Sequence, residues 1–153
     1  CRPIDFARPL TMIELGPGNG AFTRYLLSRG TADSRLLAVE LNPTFAAALR
    51  SLNDARLAVA NDSAERLAAI IEGHELPPAD AVISGIPLSW MSGERQREVM
   101  RQVFQALKVG GVCIVYQFSP QAGAHLRAVF PRVEQFRVWR NLPPLVVWYA
   151  YRS

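Results

Sequence analysis

Three glycines in five residues, Gly16-Pro17-Gly18-Asn19-Gly20, separate an apolar run at Leu10–Leu15 from a helix-like segment at Ala21–Ser28. Glycine reaches positive φ at little steric cost, so such a segment turns sharply and lets the backbone approach whatever lies against it. A buried strand that passes through a glycine-rich turn into a helix is the opening unit of an open α/β sheet. In those sheets ligands bind outside the carboxyl ends of the strands, where this turn falls.

The rest of the chain alternates in the same way. Arg35–Glu40, Arg56–Ala60, Ala79–Ser84 and Val112–Phe118 read as further strands. Helices are expected at Phe45–Leu52, with Asn42 as cap and Pro43 in the first turn, at Ser63–Ile71, at Glu94–Leu107 and at Ala122–Phe130. The Glu94–Leu107 segment places Val99, Val103 and Leu107, with Met100 and Phe104, on one stripe. Val133–Trp139 and Leu145–Tyr151 are β-prone runs joined by only five residues, Arg140 to Pro144. That connection is too short for a crossover helix, so these two strands should be antiparallel.

At 153 residues, half of them apolar, the chain is expected to form one packed domain spanning 1–153. It begins with Cys1 and not Met, so N-terminal residues of a longer protein are expected to be missing. Cys1 and Cys113 are too far apart in sequence to suggest a disulfide framework or metal cluster, which favours a reducing compartment and no metal. The longest uncharged stretch, Val109–Leu126, carries Gly, Gln, Ser and Pro and makes a poor membrane span. Seventeen basic and thirteen acidic residues give +4 overall, unevenly: residues 1–93 hold 8 basic and 10 acidic groups, residues 94–153 hold 9 and 3. The basic second half points to a polyanionic partner, nucleic acid or an anionic membrane face, or simply to a solubilising surface.

Candidate site residues cluster at strand ends. Gly16, Gly18 and Ala21 fit the G-x-G-x-x-G/A pattern of a dinucleotide site, a weak signal by itself. Glu40 ends the second strand twenty residues after Gly20, where a carboxylate can accept both ribose hydroxyls of an adenosine cofactor. NAD and S-adenosylmethionine make the same demand. Asp62, in Asn61-Asp62-Ser63 after the third strand, either bonds an adenine amine or caps the next helix. His74 and His125 stand alone and read as structural.

Glu14-Leu15-Gly16-Pro17-Gly18-Asn19-Gly20, the acidic end of strand two, Asn61-Asp62, and Leu107-Lys108-Val109-Gly110-Gly111 together resemble a class I S-adenosylmethionine-dependent methyltransferase over nearly the whole chain. Val109 stands where that family usually has Pro. The resemblance implies an α/β, Rossmann-like fold: a mostly parallel seven-stranded sheet, an antiparallel C-terminal hairpin and helices on both faces. It also implies S-adenosylmethionine as cofactor and S-adenosylhomocysteine as product. The residues it assigns to the cofactor are Glu14, Gly16, Pro17, Gly18, Asn19, Gly20, Thr23, Glu40, Leu41, Asn61, Asp62, Ser63 and Ser84.

The form running from Glu14 to Thr23 is shared by two subfamilies, the rRNA adenine dimethyltransferases and the bacterial phospholipid N-methyltransferases. Adenine N-methyltransferases carry an Asn-Leu/Pro-Pro-Tyr motif after strand four, whose amide holds the base and whose ring stacks on it. Here the segment is Ser84-Gly85-Ile86-Pro87-Leu88, without that Asn or the adjacent aromatic. It resembles the phospholipid enzymes, as does Val138-Trp139-Arg140-Asn141-Leu142-Pro143-Pro144. The resemblance implies methylation of phosphatidylethanolamine to phosphatidylcholine by a cytoplasmic protein peripheral on the inner face of the cell membrane. An RNA adenine methyltransferase and a non-catalytic cofactor-binding domain are the alternatives. Ser84, Gly85 and Tyr116 are the candidates for orienting the amine, with Arg140 for the lipid phosphate beside Asn141.

Overall fold

The computed structural model describes residues 3–88, 91–117, 122–138 and 145–153. Its elements follow the alternation of the sequence. They are β1 (Thr11–Leu15), α1 (Ala21–Arg29), β2 (Arg35–Val39), α2 (Pro43–Arg50), β3 (Leu57–Ala60), α3 (Leu67–Gly73), β4 (Ala79–Ser84), α4 (Gly93–Ala106), β5 (Leu107–Gln117), α5 (Ala122–Val129), β6 (Arg132–Val138) and β7 (Leu145–Tyr151). Asn42 caps α2 by accepting from the Thr44 amide, with Pro43 at the first helical position.

The seven strands form one sheet in the order β3-β2-β1-β4-β5-β7-β6. β1 to β5 run parallel; β7 enters antiparallel between β5 and β6. The expected terminal hairpin is therefore present, and its second strand closes onto the parallel sheet. The turn expected at 140–144 lies outside the described residues.

Strand alternation divides the core. Ile13, Leu15, Leu37, Val82, Cys113, Val115 and Trp148 face α3, α4 and α5. Met12, Leu36, Ala81, Ile83 and Ile114 face Leu26 and Leu27 of α1. α4 buries Val99, Met100 and Val103, the stripe anticipated from spacing. Burial of this kind contributes roughly 25 cal/mol per Å² of apolar surface removed from water, which makes the two-faced sheet the main source of stability.

Two boundaries differ from expectation. The helix at Ser63–Ile71 is a 3-10 turn at Ala64–Arg66 followed by α3. The Ser63 hydroxyl accepts from the Glu65 amide and tightens that first turn. Strand five begins at Leu107 and not at Val112, because Leu107 pairs with Ala79 and the register shifts before Ala81 meets Val112. Gly110 and Gly111 are then held by Arg152, whose carbonyl accepts from the Gly110 amide and whose own amide donates to Gly111.

Gly111 sits where no side chain fits: a Cβ there would lie 2.9 Å from the Lys108 carbonyl oxygen and 3.0 Å from that of Ala79. Both are backbone atoms and cannot swing aside. Gly111→Ala should lose about 2 kcal/mol of unfolding free energy. Urea titration checks this; an unchanged midpoint would contradict the seam described here.

Candidate active site

Parallel registration brings the ends of β1, β2 and β4 together. Leu15 pairs with Val39 on one side and with Ser84 on the other. The Gly16 amide continues the ladder by donating to the Val39 carbonyl at 2.9 Å, and the Gly85 amide donates to the Leu15 carbonyl at 3.0 Å. Gly16, Gly18 and Gly20 all adopt positive φ, at +70°, +56° and +77°, so the turn after β1 runs through left-handed backbone that favours glycine. Gly20 is further confined, because a Cβ would come within 2.7 Å of Leu49 Cδ2.

Glu40 joins this turn to the next strand end. One carboxylate oxygen accepts from the Gly18 amide at 2.9 Å and the other from the Asn42 amide at 2.8 Å. The glycine turn and the carboxylate thus face one crevice. That crevice is a cavity of about 590 Å³ lined by Gly16, Gly18, Glu40, Leu41, Asp62 and Ser63, with Phe45, Ile86, Pro87 and Met91 among its apolar walls. Its size falls within the roughly 300–1,000 Å³ of small-molecule sites. A Cβ on Gly18 would meet nothing within 4 Å, so the missing side chain leaves open space there.

The remaining expected cofactor residues are placed as follows. Asp62 lines the cavity while accepting from the Ser63 amide at 2.7 Å and pairing with Arg66 at 2.9 Å. The cap of the following turn is Ser63 and not Asp62, so the capping reading of Asp62 is not realised, while its place on the cavity wall is compatible with the adenine reading. The Asn61 amide does not line the cavity; it donates to the Glu40 and Leu41 carbonyls at 2.8 and 3.1 Å and holds the turn after β2. Pro17 and Asn19 line a separate hollow on the other side of the loop. Thr23 and Glu14 lie beneath the loop, both fully buried, and the Thr23 hydroxyl donates to Glu14 Oε2 at 2.7 Å. Burial pushes the Glu14 carboxyl up to about 7, against the Thr23 hydrogen bond, with a smaller push from the Glu40 charge.

Among the acceptor candidates, Gly85 lines the cavity and touches Tyr116: a Cβ on Gly85 would run into the Tyr116 hydroxyl and lie 2.8 Å from its Cζ. Ser84 is fully buried, and its hydroxyl has no hydrogen-bond partner among the described residues. Arg140 and Asn141 lie outside the described residues, as do Trp139 and Trp90. Phe45 and Ile86 were not singled out from the sequence as site residues. Their apolar side chains come from two separate segments, α2 and the connection after β4, and leave no periodic signal, although the latter segment was already informative.

The basic second half of the chain is not one free patch. Arg95 pairs with Glu65, and Lys108 with Asp80, so part of its excess is neutralised by the acidic first half. Arg101 pairs with Glu98 and Arg132 with Glu134. No group of His, Cys, Asp or Glu suited to a metal is found among the described residues. No described helix is long and apolar enough to cross a membrane.

Known proteins share this arrangement. A methyltransferase-domain family model matches residues 13–113. An ornithine lipid N-methyltransferase from Singulisphaera acidiphila is 30% identical over 152 residues, covering 97% of this chain and 79% of that protein. Among solved structures, a precorrin-6y C5,15-methyltransferase from Geobacter metallireducens superposes with a TM-score of 0.74 at 19% identity, covering 99% of this chain and 85% of its own. Human methyltransferase-like protein 13, solved with S-adenosylhomocysteine, gives 0.75 at 18% identity over 97% of this chain and 74% of its own. The chain belongs to the methyltransferase-domain family, as a class I enzyme that uses S-adenosylmethionine and releases S-adenosylhomocysteine.

The buried Glu14 carboxyl yields a test. Its pKa is raised from 4.5 to about 7 in the folded state. It therefore stays protonated in the fold at pH values where the unfolded chain has released its proton. Its stabilising contribution is intact below about pH 4.5 and is lost as pH rises through about 7. Glu14→Gln keeps an acceptor for Thr23 but cannot ionise. Between pH 4.5 and 7.5 the wild type should lose about 3 kcal/mol relative to this variant. Denaturant unfolding at both pH values measures the difference; parallel pH profiles would contradict the assignment.

Proposed function

We infer that this enzyme transfers methyl groups to the amine of a membrane lipid: phosphatidylethanolamine and its mono- and dimethyl forms, giving phosphatidylcholine. The observation that carries the reading is the segment after β4. Gly85-Ile86-Pro87 lines the cofactor cavity without the amide that an adenine N-methyltransferase uses to hold its base. The lipid-methylating relative supports a lipid acceptor, and its activity on ornithine lipid favours that lipid as a second reading. On either reading residues 1–153 act as a single methyltransferase domain, peripheral at the cytoplasmic face of the membrane.

The cavity residues fit an adenosyl group. Glu40 presents a carboxylate beside the open space at Gly18, suited to ribose hydroxyls. Leu41, Ala64 and Ile86 offer apolar walls to adenine, with Asp62 at that end for its amine. When bound, S-adenosylmethionine supplies an activated methyl group, so the protein's task is binding and orientation. Gly16 and Gly18 allow close approach, while Glu14 and Thr23 support the loop from below. Pro17, Asn19 and Gly20 shape that loop, and Asn61 and Ser63 hold the turns around Glu40 and Asp62. Gly85 and the Tyr116 hydroxyl flank the opening at which an acceptor nitrogen arrives, over the buried Ser84. A buried amine is disfavoured in its charged form, which frees the lone pair without a dedicated base. Arg140 is assigned to the lipid phosphate, with Asn141 beside it in sequence as a further acceptor-side candidate.

Radiolabelled methyl transfer to vesicles of phosphatidylethanolamine, to vesicles containing ornithine lipid and to rRNA tests the reading. Labelled phosphatidylcholine and its intermediates are expected. Label in ornithine lipid alone would replace the first reading by the second, and label in RNA alone would overturn both. Glu40→Ala should lower S-adenosylhomocysteine affinity about a hundredfold, since it removes two hydrogen bonds to a charged acceptor. Calorimetric titration checks this, and unchanged affinity would reject Glu40 as the ribose ligand.

A further inference from the structure

A second hollow of about 510 Å³ lies across the glycine turn from the cofactor cavity, lined by Pro17, Asn19, Ala21, Phe22, Tyr25 and Tyr116. Its character is aromatic. The Phe22 ring centroid lies 5.6 Å from that of Tyr25 and 5.6 Å from that of Tyr116, so Phe22 stands between two tyrosine rings. Tyr25 is 43% exposed, which leaves much of its surface to solvent. Among the described residues no lysine or arginine lines this hollow. The nearby Arg24 guanidinium is held on the Asn19 carbonyl at 2.9 Å, and that of Arg29 lies over Phe6 at 5.8 Å.

Tyr116 connects the two spaces. Its ring walls the aromatic hollow, and its hydroxyl lies against Gly85, which lines the cofactor cavity. A group seated on these rings would thus lie next to the place where the methyl group is delivered. Aromatic faces attract cations through the ring quadrupole, most effectively cations with weakly hydrated methyl substituents. A phosphate or an acyl chain has no such complement here, because the first is matched best by cationic donors, which the described lining lacks, and the second gains nothing from ring electrostatics.

We propose that the Phe22–Tyr25–Tyr116 hollow binds the methylated ammonium head of the acceptor, holding the partly methylated product between successive transfers. This rests on the lipid-amine reading above. The charge on the head selects the hollow, and the tyrosine hydroxyl marks its exit toward Gly85.

The test uses two small probes on the protein saturated with S-adenosylhomocysteine. Choline carries the trimethylammonium group, and 3,3-dimethyl-1-butanol replaces its nitrogen by carbon. Backbone NMR titration should show saturable shifts at Phe22, Tyr25 and Tyr116 with choline and roughly tenfold weaker binding of the neutral isostere. Phe22→Leu and Tyr25→Leu, which keep apolar volume but remove a ring, should each weaken choline several-fold and leave S-adenosylhomocysteine affinity unchanged. Phe22→Tyr should restore it. Equal binding of the two probes, shifts confined to other residues, or choline binding untouched by both leucine variants would overturn the proposal. Choline selectivity in the hollow without methyl transfer to any lipid would reject the substrate reading alone. Lipid methylation with an acceptor KM unmoved by both leucine variants would reject the hollow alone.

Discussion

The Glu40 carboxylate is the hinge of the structure. It accepts from Gly18 in the turn after β1 and from Asn42 at the cap of α2, tying two crossover connections together at one edge of the sheet. This bridge is possible only because β1 and β2 are parallel and in register to their last residues, Leu15 opposite Val39. It also requires positive φ at Gly16 and Gly18, which brings backbone donors rather than side chains to the carboxylate. A substituted Gly16 would carry a Cβ 3.0 Å from Ile86, so the glycines also set how closely the segment after β4 can approach.

Two carboxylates end up near the same turn in different surroundings. Glu40 sits at the cavity wall with a backbone donor on each oxygen. Glu14 lies fully buried underneath, with one oxygen on Thr23 and the other without a partner among the described residues. Burial is why Glu14 resists ionisation, and the Glu40 charge adds to that resistance. The same burial raises the Tyr116 phenol, with the Glu14 charge adding to it, and keeps that hydroxyl protonated beside Gly85. Among the described residues, the space around Gly85 and Tyr116 is thereby lined by neutral groups and aromatic faces.

Much of the fold was legible because periodicity and turn chemistry agreed. β4 and β7 fall on the expected residues, and α1, β2 and α2 within a residue or two, because apolar runs bounded by Gly, Asn-Pro or Asn-Asp leave little choice. The start of β5 was not legible, since the pairing of Leu107 with Ala79 depends on a register shift between distant strands. In the candidate site, Glu40 and the glycines were readable from spacing. The different places of Gly18 and Asn19, on opposite sides of one loop, were not, because they follow from dihedral angles. Asn61 shows the same limit: its position was anticipated, but its amide turns to the Glu40 and Leu41 carbonyls and away from the cavity. The aromatic hollow was invisible for a similar reason, as Phe22 and Tyr116 are 94 residues apart in sequence and meet only when α1 and β5 contribute to the same face of the folded sheet.

A crystal structure of the protein with S-adenosylhomocysteine tests the central claim most directly. The account predicts ribose hydroxyls on the Glu40 carboxylate, adenine between Leu41 and Ile86, and sulfur directed toward Gly85 and Tyr116. A nucleoside bound outside the cavity between Gly18 and Asp62, or a Glu40 carboxylate that makes no contact with the ribose, would contradict it.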